Sequence, residues 1–211
     1  ESGVKNDFGP GFFLVAHGPV EGPPNDVQNL WNNYLPALKK TIDLAHAMGI
    51  GFMTIHMWMD SRFVHAVTRS EKKEALRQIV QYGAERHVVL GLENLSEHAK
   101  DFAEVFQEVP GLTMTLDVGH AQLLTETNTS FGFIRELMPF IKHLHVHDNR
   151  GGNGVRDDLH LPVGRGNVDF YGIVRGLVEN RFEGTVTLEV EHEELLESME
   201  TLRRVLDAVS R

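Results

Sequence analysis

Short apolar runs recur along the chain, each closed by a polar side chain and followed by a longer amphipathic stretch. The runs are Phe12–Ala16 before His17, Gly51–Ile55 before His56, Val88–Leu92 before Glu93, Leu112–Leu116 before Asp117, Lys142–Leu144 before His145 and Thr185–Leu188 before Glu189. Runs of this length and composition predict strands. The stretches between them predict helices. The first runs from about Asp26 to Met48, stopped by Gly49, and the second from about Arg69 to Glu85, where Thr68 and Glu71 have capping-box spacing. A third starts after Ser96 and stops before Pro110-Gly111. A shorter one covers about Ser130 to Pro139, another follows Asn167 or Asp169, and the last spans about Glu193 to Val209.

Alternating strands and helices predict right-handed βαβ crossovers and a parallel sheet. An open sheet would spread the six strand ends along a line at ~4.8 Å per strand. A closed barrel brings them to one axis, where polar residues at the carboxyl ends of strands face a common site. The fold class is therefore expected to be α/β, a TIM (β/α)8 barrel. A complete barrel has eight strands and about 250 residues. The 211 residues open on Glu1 rather than Met and carry six strands. The expectation is one barrel domain over residues 1–211, covering the last six β/α units, with the natural start and the first two units upstream.

At 41% hydrophobic and 24% charged residues, the composition is that of an ordinary globular domain. No apolar stretch approaches the roughly 18 residues that span a bilayer, and no signal-peptide pattern opens the chain. A cytoplasmic protein without membrane contact is expected, and a homo-oligomer is compatible with the sequence. Cysteine is absent, so any metal has to be held by His, Asp and Glu. The net charge of −10 and the lack of a basic stripe argue against nucleic acid as a partner.

The six polar strand ends suggest a multi-ligand metal centre, and further donors lie close to them. His120 follows Asp117 by one turn. His143, His145 and His147 share one strand face by period two. Asp158 and His160 flank Leu159 beyond Gly151-Gly152, and Glu189 and Glu191 share a face. A buried carboxylate after Val88–Leu92 would be costly without a partner, so Glu93 reads as a ligand rather than a structural ion pair. His147 reads as a substrate contact or a support for a ligand, and Trp58 as a pocket wall. Arg165 reads as a group that could grip a substrate phosphate. His143 reads as structural.

The segments GLENL at 91–95, LDVGHA at 116–121, HLHVHDN at 143–149, DDLHLPVGRGNVDF at 157–170 and TLEVE at 187–191 resemble the sugar phosphate isomerase/epimerase family. That family shares a xylose isomerase-like TIM barrel with the endonuclease IV type of apurinic-site nuclease. The resemblance implies a central divalent ion (zinc, manganese or magnesium) on Glu93, Asp117, His145 and Glu189. It further implies that His17, His56, His120, Asp158 and His160 match the extra ligands of three-zinc members, so one to three ions are expected. His147-Asp148-Asn149 departs from the nuclease pattern.

The implied activity is isomerisation or epimerisation of a small sugar or sugar phosphate through an enediolate, with Glu93 and Glu189 as the catalytic acid–base pair. The alternative is an endonuclease IV-like, zinc-dependent phosphodiesterase acting on abasic DNA.

Overall fold

The structure is a computed structural model and describes residues 13–210. Phe12, the first residue of the first predicted strand run, lies outside them. Contacts divide the chain into two units. One runs up to Glu93 and takes in Glu104–Met114; the other holds Asn94–Ala103 and the chain from Thr115 onward.

In the first unit β1 (Ala16–His17), β2 (Phe52–His56) and β3 (Val89–Glu93) pair in parallel in that order. The register sets His17 beside Thr54 and His56 beside Glu93. Helices α1 (Val27–Asn29), α2 (Leu35–Ala47) and α3 (Ala66–Ala84) accompany these strands. Leu38 and Ile42 from α2, Leu76 and Ile79 from α3, and Met53 and Ile55 from β2 are fully buried.

The single helix expected from Asp26 to Met48 forms in three pieces. Asp26 caps it as predicted, accepting the Asn29 N–H at 2.9 Å, and Gly49 ends it at a φ of 72°. Between α1 and α2, however, residues Leu30–Tyr34 make a π-helical turn, in which the Leu35 N–H reaches the Leu30 carbonyl. Pro36 accounts for this, because it lacks an N–H and its ring crowds the carbonyl one turn back.

α3 starts at Ala66, three residues before the expected start, after His65 in extended conformation. The Thr68–Glu71 capping box is not used. Thr68 is buried inside the helix, and Glu71 accepts the Trp31 indole N–H at 2.9 Å. Tertiary burial here overrides a local capping signal.

β4 (Thr113–Asp117) and α4 (Ala99–Glu108) each pass from one unit into the other. The second unit continues the strand order as β4, β5 (Ile141–Val146) and β6 (Thr185–Leu188). β5 and β6 are parallel, with His145 beside Thr187. Its helices are α5 (Ser130–Leu137), α6 (Phe170–Glu179) and α7 (Leu195–Val209). Phe102 and Phe133 fill its core as fully buried rings 5.7 Å apart. The two candidate caps for α6 resolve to Asp169, whose carboxylate accepts the Gly172 N–H at 2.9 Å. Asp169→Ala is expected to cost about 1 kcal/mol, seen as a lower urea midpoint at unchanged slope. Among the described residues no helix is long and apolar enough to cross a membrane.

Candidate metal centre

The parallel register of the first unit explains its cluster. Glu93 ends β3 with 1% of its side chain exposed, and Oε2 faces two imidazoles, His56 Nε2 at 2.8 Å and His17 Nε2 at 3.3 Å. His17 Nδ1 donates to the Gly18 carbonyl at 2.8 Å. In a neutral ring that bond leaves the Nε2 lone pair pointing at the carboxylate, the arrangement a shared cation requires.

The backbone that follows His56 is clamped by three buried side chains that sequence reasoning missed. The Tyr34 hydroxyl, brought there by the π-helical turn, donates to the His56 carbonyl. Glu21 Oε2 accepts the Trp58 N–H at 2.9 Å. Lys72, 1% exposed, donates to the Trp58 carbonyl at 2.8 Å and pairs with Glu21 Oε1 at 2.6 Å. Burial pushes the Glu21 carboxyl up, and Lys72 offsets only part of that shift. Burial and then the charge of Glu21 raise the Tyr34 hydroxyl well above its ordinary value. Trp58 is half-buried and stacks on Phe63 with ring centroids 5.2 Å apart.

In the second unit Asp117 ends β4 fully buried. The Asn94 side chain brackets its backbone with two 2.9 Å hydrogen bonds, one to the carbonyl and one from the N–H. Asp117 Oδ1 accepts the His120 N–H at 2.6 Å. His145 Nδ1 lies 3.0 Å from Glu189 Oε1 and 3.9 Å from Asp117 Oδ2. Glu189 follows β6 directly and is half-buried.

A second group forms around Asp158. His120 Nε2 lies 3.2 Å and His160 Nε2 3.3 Å from the same oxygen, Asp158 Oδ2. Burial alone would raise the Asp158 carboxyl, yet the two imidazoles hold it well below the usual carboxylate range. The hydrogen bond to Asp158 in turn raises His160 to about 9, against the effect of burial. A cation binding there has to displace that proton. His160 adopts a φ of 46°, a left-handed backbone that costs about 1–3 kcal/mol in a residue with a Cβ and collects at functional sites.

Two predicted contacts, His147 and Arg165, and the residue read as structural, His143, resolve differently from one another. His147 is fully buried beside Asp117 and His120, with Nε2 3.1 Å from Asp117 Oδ1. Arg165 is exposed and pairs with Glu197 through Nε at 2.8 Å and a terminal nitrogen at 2.6 Å. His143 is structural, as expected: its ring nitrogens meet Thr185 Oγ1 at 2.7 Å and Thr187 Oγ1 at 3.0 Å.

The Gly164–Gly166 turn cradles an anion, the chain's own Asp148. Its carboxylate accepts N–H groups from Gly164 at 2.9 Å, Gly166 at 2.8 Å and Val168 at 3.1 Å. A Cβ on Gly166 would lie 2.3 Å from Asp148 Oδ1. Asp148 thus folds the loop that carries Asp158 and His160.

Imidazoles facing buried carboxylates, with no thiolate available, form the donor set of zinc and manganese sites. The residues fit a divalent ion in both units.

The chain is similar to several known proteins. An uncharacterized protein of Methanocaldococcus jannaschii, MJ1311, is 26% identical over 215 residues, covering 93% of this chain and 71% of its own length. A probable endonuclease 4 of Mesomycoplasma hyopneumoniae is 22% identical over 169 residues, covering 72% of this chain and 60% of its own length. Among solved structures, a D-tagatose 3-epimerase-like protein superposes with a TM-score of 0.78 at 23% identity, over 93% of this chain and 78% of the other. The TTHB071 protein of Thermus thermophilus, soaked with ZnCl2, gives 0.72 at 23% identity, over 92% and 78%. The pattern that defines the xylose isomerase-like TIM barrel matches residues 8–208. With six strands among the described residues, parallel wherever their register is described, and helices between them in chain order, the chain belongs to the xylose isomerase-like TIM barrel family.

Proposed function

We propose that this chain belongs to a divalent-metal-dependent isomerase or epimerase that moves a proton on a small sugar or sugar phosphate. One observation carries the reading: three strands end in a carboxylate faced by an imidazole, Glu93 by His56, Asp117 by His147 and Glu189 by His145. In this reading Glu93, Asp117, His145 and Glu189 hold one divalent ion, and the strands of both units belong to one barrel domain. His17, His56, His120, Asp158 and His160 offer places for further ions. The bound ion supplies Lewis-acid stabilisation of the charge that develops on the substrate oxygens.

Glu93 and Glu189 are the proton carriers. One takes a proton from the carbon beside the substrate carbonyl, and the other returns a proton at a different carbon or face. The His145 contact at 3.0 Å orients Glu189, and Trp58 offers an apolar wall to the sugar. A substrate phosphate has to be held away from the Gly164–Gly166 turn, whose N–H groups already serve Asp148. Structural similarity to an epimerase-like protein and to a zinc-soaked relative supports the reading.

The second reading is zinc-dependent hydrolysis of abasic DNA, favoured by the His120–Asp158–His160 group and by the endonuclease-like relative. The net charge of −10 opposes it. Metal-loaded full-length protein is to be incubated with ketopentoses, ketohexoses and their phosphates, followed by NMR, and in parallel with an abasic duplex. Sugar interconversion that stops with EDTA and returns with metal is expected. Strand cleavage without sugar interconversion would overturn the proposal.

A further inference from the structure

We propose that His147 is the fourth protein ligand of a closed zinc site formed with His120, Asp158 and His160. The family resemblance implies the other three as ligands, whereas nothing in it assigns His147. The inference concerns what these four side chains bind, and although His147 also faces Asp117 of the proposed sugar site, its test reads metal binding rather than turnover.

The four residues each offer a ligand atom within 4.8 Å of all the others. Asp158 Oδ2 lies 3.2 Å from His120 Nε2 and 3.3 Å from His160 Nε2. The edge of a tetrahedron with zinc bonds of ~2.0–2.1 Å is about 3.3–3.4 Å. Tautomers point the same way. His120 Nδ1 donates to the Asn94 carbonyl at 3.2 Å, and His160 Nδ1 donates to the Glu189 carbonyl at 3.0 Å. With each Nδ1 so engaged, Nε2 of both rings is the atom turned to the one carboxylate oxygen, the orientation in which both can bind a single cation once it displaces the proton held there.

His147 supplies an independent observation. Its side chain is fully buried, and neither ring nitrogen has a hydrogen-bond partner. The approach of Nε2 to Asp117 Oδ1 lacks the alignment of a hydrogen bond. Buried imidazoles ordinarily satisfy at least one nitrogen, and a metal bond would do so here. The ring lies parallel to His160 with centroids 3.9 Å apart and edge-on to His120 at 5.4 Å.

Gly119 makes room for it. A Cβ there would fall 2.2 Å from His147 Cε1, 2.4 Å from Nδ1 and 2.5 Å from Nε2. Gly119 has φ −78° and ψ −45°, a conformation open to any residue. What this position requires of glycine is therefore space for the imidazole, not backbone freedom.

Four protein ligands leave no open position, which is the mark of a structural rather than a catalytic zinc. The ion would pin the loop bearing Asp158 and His160 to the end of β5, away from bond-making.

Crystals of full-length protein grown with zinc, measured on both sides of the zinc absorption edge, give the direct test. An anomalous peak bonded to His120, His147, Asp158 and His160, with no water attached, is expected. A peak with water in place of His147, or no peak there, would overturn the proposal. In solution, chelator competition should show one zinc bound more than ~100-fold more weakly in His147→Ala, with loss of the tetrahedral absorption of the cobalt-substituted protein. Gly119→Ala should do the same while leaving every ligand in the chain. Unchanged zinc affinity in both variants would refute the assignment, and the crystal experiment decides the question should either variant fail to fold.

Discussion

Replacing Glu189 with Gln is expected to lower turnover of the sugar by about 10²–10⁴-fold, the usual contribution of a positioned acid or base. The amide keeps the size of the side chain and its contact with His145, at 3.0 Å from Oε1 in the structure, but it cannot carry a proton. Asp117 and His145 remain in place, so metal content measured by elemental analysis should fall less than activity. KM should change less than kcat, because the missing interaction is one made in the transition state. Equal losses of metal and activity would recast Glu189 as a ligand alone, and unchanged turnover would remove it from the mechanism.

Lys72→Met is expected to destabilise the protein by about 3–5 kcal/mol, the usual result of breaking one side of a buried ion pair. Lys72 and Glu21 are 1% and 8% exposed at the side chain. Removing the ammonium leaves Glu21 with a carboxyl that burial already raises. A folded-state value above the unfolded one means that the protonated form favours folding and the ionised form opposes it. The penalty should therefore be smallest below pH about 4.3, the ordinary glutamate value, and grow as pH rises through the raised value. Chemical denaturation at several pH values checks the sign. Adding Glu21→Gln should restore part of the loss, since replacing both charges is far milder than removing one. Because the pair grips the Trp58 N–H and carbonyl, the single variant should also loosen His56 and Trp58.

The alternation of six apolar runs with amphipathic stretches was enough to place five of the six strand ends. That is because a strand-end position depends on local pattern: His17, His56, Glu93, Asp117 and Glu189 each close an apolar run or follow it directly. β5 runs on to Val146, so His145, expected just beyond its end, lies inside it. What the pattern could not supply was tertiary pairing. Pro36 inside a helical stretch was visible, but the π-helical turn it induces, and the delivery of Tyr34 to the His56 carbonyl, depend on β2 lying beside it. Lys72 did leave a trace. It sits three, four and seven residues before Ala75, Leu76 and Ile79, on the buried stripe of α3, where a lysine demands a partner. Glu21, in a loop of Gly and Pro, left none. The Gly164–Gly166 turn is too short a motif to read as an anion cradle from sequence, and its anion, Asp148, lies 16 residues before Gly164, so that only folding brings the two together. His147 was ambiguous by period alone; its burial and its orphaned nitrogens appear only in three dimensions.

The central claim is proton transfer to and from a sugar carbon by side chains at these strand ends. Its most direct measurement is deuterium incorporation from D2O into a ketose by the metal-loaded full-length protein, followed by NMR. The account predicts label at a single carbon beside the carbonyl, formed at least as fast as the isomerised product and lost in Glu189→Gln. Isomerised sugar without label, or label unaffected by Glu189→Gln, would contradict it.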